Sequence, residues 1–137
     1  MENFLGKGMK ELSKKERETF AKAYGLDWIG RFVDAKGFVR ARISGKYFHV
    51  NFADGKPAYE TRFTLVGNFQ EDGLAPVRDK NKKFFHIRVD GTPAYENRFD
   101  MFFEEGAFQD DGTAWAEVDG KMYDIDRQGK IIRMASF

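Results

Sequence analysis

The chain has 137 residues and no cysteine, which allows a single domain and excludes a disulfide framework, a thiolate zinc site and a cysteine nucleophile. Lys plus Arg at 23 against Asp plus Glu at 22 gives a net charge of +1, too balanced to announce a phosphate-tracking surface. Fifteen phenylalanines, five tyrosines and two tryptophans outnumber Leu, Ile and Val together, so the core must be built largely of rings.

No apolar run approaches the roughly 18 residues of a membrane helix. Met1-Glu2-Asn3-Phe4 does not open a basic-then-apolar leader, so a cytoplasmic protein without membrane contact is expected. Residues 1–27 read as an N-terminal segment. Within it, Ser13-Lys14-Lys15-Glu16 is a capping box, in which serine and glutamate satisfy orphan amides at each other's positions. The spacing predicts a helix over about 14–24, with Phe20 and Tyr24 one turn apart and Gly25 as its stop. Such a short polar helix is marginal alone. It is expected to cap the open end of the β-rich region after it.

Residues 28–137 carry an internal repeat. Tyr47-Phe48-His49-Val50 returns as Phe84-Phe85-His86-Ile87, and Gly55-Lys56-Pro57-Ala58-Tyr59-Glu60-Thr61-Arg62-Phe63 returns as Gly91-Thr92-Pro93-Ala94-Tyr95-Glu96-Asn97-Arg98-Phe99. A Gly-x-Phe recurs at Gly30, Gly67 and Gly106, and Met122-Tyr123-Asp124-Ile125 is a third copy of the second strand. The units run over about 30–66, 67–105 and 106–137, and the last lacks the Pro-Ala-Tyr-Glu segment. Within them apolar residues alternate with period two: Val39, Ala41 and Ile43 point one way, Phe38, Arg40 and Arg42 the other. Ser44-Gly45 and Asp119-Gly120 mark tight hairpin turns, while Asp79–Lys83 makes a longer loop. Pro57 and Pro93 sit at strand starts, where a missing amide costs least. Each unit is therefore expected to hold three short antiparallel strands. The fold class is all-β with a short N-terminal α-helix, three tandem β-hairpin repeats of about 36–39 residues in an open stack. The alternative is a closed pseudo-threefold, trefoil-like barrel.

Gly73-Leu74-Ala75-Pro76-Val77, then Phe85-His86-Ile87, Asp90-Gly91 and Arg98-Phe99 form a string that resembles the bacterial WG-repeat group over about residues 28–133. The namesake Trp-Gly is replaced by Tyr47-Phe48, Phe84-Phe85 and Met122-Tyr123. The resemblance implies a β-rich interaction scaffold and brings no catalytic residues.

His49, His86 and Asp124 occupy equivalent positions and would make a metal-binding set if three units closed around an axis. The plainer reading is a strand residue facing polar surroundings, copied with its repeat. Asp124–Gly129 imitates half a calcium loop, but Ala135 stands where a bidentate glutamate belongs. Glu60 with Arg62, and Glu96 with Arg98, read as cross-strand ion pairs or solvated charges, and the arginines also suit stacking over rings. Glu71-Asp72, Glu104-Glu105 and Asp110-Asp111 fall in connecting loops rather than across a cleft. Lys80, Lys82 and Lys83 beside Phe84 give only a weak single-strand nucleic-acid footprint. Trp115 falls on the outward strand phase, and burial with Ile131, Ile132 and Phe137 is the favoured account of it. Tyr47, Phe84 and Trp115 are the rings whose strand phase leaves an outward role open.

The reading is a non-catalytic protein-binding or scaffold module, with Trp115, Tyr59, Arg62, Tyr95 and Arg98 as partner-binding candidates. No enzyme activity and no cofactor are expected. The alternative is a glycan- or metal-binding repeat domain using the recurring His, Tyr and Arg.

Overall fold

The computed structural model describes residues 8–135. After β1 (Lys10–Glu11), Ser13 Oγ accepts the Glu16 amide at 3.1 Å and Glu16 Oε1 accepts the Ser13 amide at 2.9 Å. This reciprocal cap starts α1 (Lys14–Ala23), and Gly25 follows its end in the left-handed region. Phe20 is the buried residue of α1, and its ring stacks on Phe52 at 4.9 Å. A helix with so little apolar surface is held by docking rather than by its own propensity.

The first sheet joins β2 (Trp28–Ile29), β4 (Phe38–Ile43) and β5 (Lys46–Asn51), while β3 (Phe32–Val33) pairs with β1. The second joins β6 (Leu65–Val66), β7 (Ala75–Arg78) and β8 (Phe84–Ile87). The third has the order β12-β11-β10-β9, built from β9 (Met101–Phe102), β10 (Ala114–Val118), β11 (Lys121–Ile125) and β12 (Ile131–Met134). All pairings are antiparallel. Ser44-Gly45 and Asp119-Gly120 turn two of the hairpins with positive φ at both residues, the geometry that matches the twist of the flanking strands. Arg40 faces His49, Pro76 faces His86 and Trp115 faces Asp124, one strand position in three sheets.

Two expectations are corrected. None of these sheets closes into a barrel, so the closed pseudo-threefold arrangement is not the one adopted. The strand expected after each Asp-Gly turn is reduced in the first two sheets to the isolated bridges Val50–Pro57, Tyr47–Phe63, Ile87–Pro93 and Phe84–Phe99. The third strand in each case precedes the hairpin instead, as β2 or β6. Pro57 and Pro93 bring no amide to a ladder, and between the bridges the chain curls so that the Arg62 and Arg98 side chains bond its carbonyls.

One buried cluster runs from Phe20 through Val39, Phe48 and Val50 to Phe69, Val77 and Ile87. A second gathers Phe99, Phe102, Ala114, Ala116 and Ile125, and Tyr95 packs against both. Among the described residues, no helix is long and apolar enough to cross a membrane.

Candidate functional site

The period-two pattern sends His49 and His86 outward, yet their exposures are 0% and 1%. The expectation of polar surroundings is wrong because the next segment of chain folds over that face. His49 Nε2 lies 2.7 Å from the carbonyl oxygen of Gly67 and Nδ1 lies 2.5 Å from Tyr59 Oη. His86 repeats the geometry, with Gly106 O at 2.7 Å and Tyr95 Oη at 2.6 Å. A carbonyl only accepts, so Nε2 carries the proton and each tyrosine donates its O–H to Nδ1. Phe69 covers the His49 ring at 4.3 Å and Phe108 covers His86 at 4.6 Å. Burial among these rings pulls both histidines down to about 4 and pushes the Tyr59 and Tyr95 phenols above their ordinary range.

This arrangement joins one sheet to the next and leaves neither imidazole a nitrogen for a metal. Asp124, at the equivalent place, pairs instead with Arg133 at 2.8 Å. Among the described residues, no group of three or more His, Asp or Glu side chains is gathered to hold a metal ion.

Tyr59 and Tyr95 have a second task. The Tyr59 ring lies over Gly91 and the Tyr95 ring over Gly129, and Tyr24, at the end of α1, covers Gly55 in the same way. All three glycines have positive φ. The sequence shows the recurring tyrosines and glycines but gives no sign that they meet across the joint.

Arg62 is not an ion-pair partner of Glu60. Its Nη1 donates to the carbonyls of Tyr59, Glu60 and Thr61 at 3.2, 2.8 and 3.1 Å, and its guanidinium lies 3.7 Å from the Phe48 ring centre. Arg98 does the same with Tyr95, Glu96 and Asn97, stacking 3.8 Å from Phe85. The stacking expected of these arginines is present, and the carbonyl capping is new. Both remain exposed at their outer edges, whereas Tyr59 is buried and offers a partner almost nothing.

Trp115 is half-buried, and its carbonyl accepts the Phe103 amide at 3.2 Å. The expectation that Ile131 and Ile132 bury beside it is corrected: β11 stands between β10 and β12, and both isoleucines are exposed. Phe137, expected beside them, lies outside the described residues. Ile131, Ile132 and Met134 are 42%, 45% and 58% exposed on an edge strand.

Lys83, Asp72 and Asp126, among the remaining candidates, have structural partners. Lys83 pairs with Asp100, Arg127 with Asp72, and Asp126 Oδ1 accepts the Gln128 and Lys130 amides of its turn. A cavity of about 650 Å³ gathers residues the sequence reading does not bring together, among them Phe84, whose outward role it leaves open, and Glu105, which it places away from any cleft. Arg40, Asn68, Gln70 and Glu105 supply its polar groups, with Phe84 and Phe102 among its apolar walls. The signals available were the outward phase of Phe84 and Arg40, at the strand position that Trp115 occupies in the third sheet. No family model matches the chain, and no curated protein matches it.

Proposed function

We propose that the chain is a non-catalytic protein-binding module, an open stack of three tandem hairpin units resembling WG repeats and capped by α1. The observation that carries the binding role is the edge strand β12. It presents Ile131, Ile132 and Met134 to solvent beside a row of backbone groups that no other strand among the described residues pairs with. An exposed apolar edge is a template for another chain's strand. The non-catalytic part rests on the histidines, whose lone pairs and protons are committed to Tyr59, Tyr95, Gly67 and Gly106. The stacking of units rests on the same joint appearing twice, with the same donor, acceptor and covering ring. A glycan site built on Tyr59 and Tyr95 finds less support, since both phenols bond inward.

The test is affinity capture from source lysate with the parent protein, the double variant Ile132→Lys/Met134→Lys, and Trp115→Ala. The lysines replace exposed side chains, so thermal unfolding should be unchanged while the captured partner is lost. Retention of the same partner by the double variant excludes β12 as the docking edge. Loss with Trp115→Ala alone moves the interface to the β10 face.

A further inference from the structure

The cavity of about 650 Å³ lies in the range of small-molecule sites, which join apolar walls to a few convergent polar groups. Its cation is Arg40. The guanidinium lies 5.4 Å from the Trp28 ring centre and close against Gly30, where a side-chain carbon would come within 2.9 Å of Nε. Two flat surfaces thus hold it in place. Its Nε is fully buried without a hydrogen-bond partner, and among the described residues the side chain makes no ion pair within 4.0 Å. Leaving a buried donor unpaired is unfavourable, which favours an acceptor bound beside the guanidinium. Asn68 contributes the complementary orphan, a buried Oδ1 that accepts from nothing among the described residues.

Glu105 supplies the second charge. It sits in the left-handed region at φ 57 directly after Glu104 at φ 51, and two such non-glycine residues in succession are strained. Its carboxylate acts on Arg40 through space without closing an ion pair. One cation, one nearby anion and an acceptor oxygen suit a monoanion that also carries a donor. A phosphate dianion would meet one positive charge and be repelled by Glu105. The planar fork of arginine matches a carboxylate, and Phe84 with Phe102 provides an apolar wall.

We propose that this cavity binds an α-amino-acid carboxylate with an apolar side chain. The carboxylate sits on Arg40, its N–H on Asn68 Oδ1 and Glu105, and its side chain against Phe84 and Phe102. A free amino acid and the C-terminal residue of a peptide present the same chemistry. L-phenylalanine and glycyl-L-phenylalanine separate the two sources, and neither outcome requires a protein partner at β12.

The experiment is a titration of the full chain followed by amide NMR shifts, with 2-phenylethylamine and inorganic phosphate as controls. Saturable shifts around Arg40 and Asn68 are expected with L-phenylalanine or the dipeptide, the tighter of the two identifying the source. The amine without a carboxylate, and the variant Arg40→Gln, should each bind at least ~10-fold more weakly. Asn68→Leu, which removes only the orphan acceptor and its amide, should weaken binding severalfold and keep its melting temperature. It carries the test if Arg40→Gln does not fold. Absence of saturable shifts at millimolar concentration overturns the proposal. So does equal affinity for phosphate, or binding unchanged in Asn68→Leu.

Discussion

Tyr95 and His86 show how a side chain's partner, rather than its type, decides its chemistry. The phenol donates to Nδ1 at 2.6 Å while Nε2 donates to Gly106 O, so a group that reads as a metal ligand or general base is a neutral tie. Tyr95→Phe keeps the ring over Gly129 but leaves a buried lone pair unmet. It should destabilise the protein by about 1–3 kcal/mol, measured by urea unfolding, and a midpoint equal to the parent's would contradict the tie. The equivalence of His49 and His86 is legible in the sequence because it is copied with its strand. Their burial is not, because period two reports which way a side chain points and not what later covers that face. Arg62 and Arg98 divide in the same way. That each arginine suits stacking is legible, but the ring it meets, Phe48 or Phe85, comes from an earlier strand, and three-carbonyl capping requires the backbone to curl around the guanidinium.

Among the elements, the turns carry the information. Ser44-Gly45 and Asp119-Gly120 name their own geometry, since only positive φ closes a two-residue hairpin with the right twist. The Asp-Gly turns further along do more than turn. A side-chain carbon on Gly91 would come within 2.5 Å of Tyr59 Cγ, while one on Gly120 would meet nothing within 4 Å. The two glycines have nearly the same φ, +83 and +80. Alanine at 120 therefore tests backbone strain alone and should cost about 1 kcal/mol. Alanine at 91 adds a clash with a buried ring and should cost about 2–4 kcal/mol. Thermal unfolding of the two variants compares them directly, and equal losses would mean that the Tyr59 contact adds nothing. The sequence displays both glycines as turn residues and cannot rank them.

For the molecule as a whole, the joints make stability depend on pH. Burial lowers each folded histidine from 6.5 to about 4, so below about pH 6.5 the unfolded chain binds protons that the folded chain refuses. Stability is fully present above that value and is lost as pH falls towards 4, on the order of 3 kcal/mol per ring if both titrate independently. Asp100, Asp111, Asp90 and Glu16 have lowered values, held down first by hydrogen bonds to Lys83, Thr113, Thr92 and Ser13. Their contributions disappear only at lower pH, so the window between about 6.5 and 4.5 belongs chiefly to the histidines. Burial raises Asp34, which opposes the trend at its acid end. Urea midpoints should fall steadily across this window, and His49→Gln and His86→Gln should each flatten the slope. A parent midpoint independent of pH would remove the buried neutral histidines from the account.

The capped helix, the hairpins, the positive-φ turns and the near-repetition of His, Tyr, Gly and Arg-Phe are all written in the chain itself. Each depends on local spacing or on the conformational limits of single residues. Tertiary structure decided what those residues touch: Gly67 and Gly106 closing over imidazoles, tyrosines lying on glycines some 30 residues away, and Arg40 held at a cavity wall beside an unpaired asparagine oxygen. The aromatic excess lies between the two. Composition requires a core of rings, but only the fold assigns Phe69 and Phe108 to cover histidines and Phe84 and Phe102 to line a cavity. Contacts between sheets depend on how the joints stack, and no periodicity within one strand encodes that.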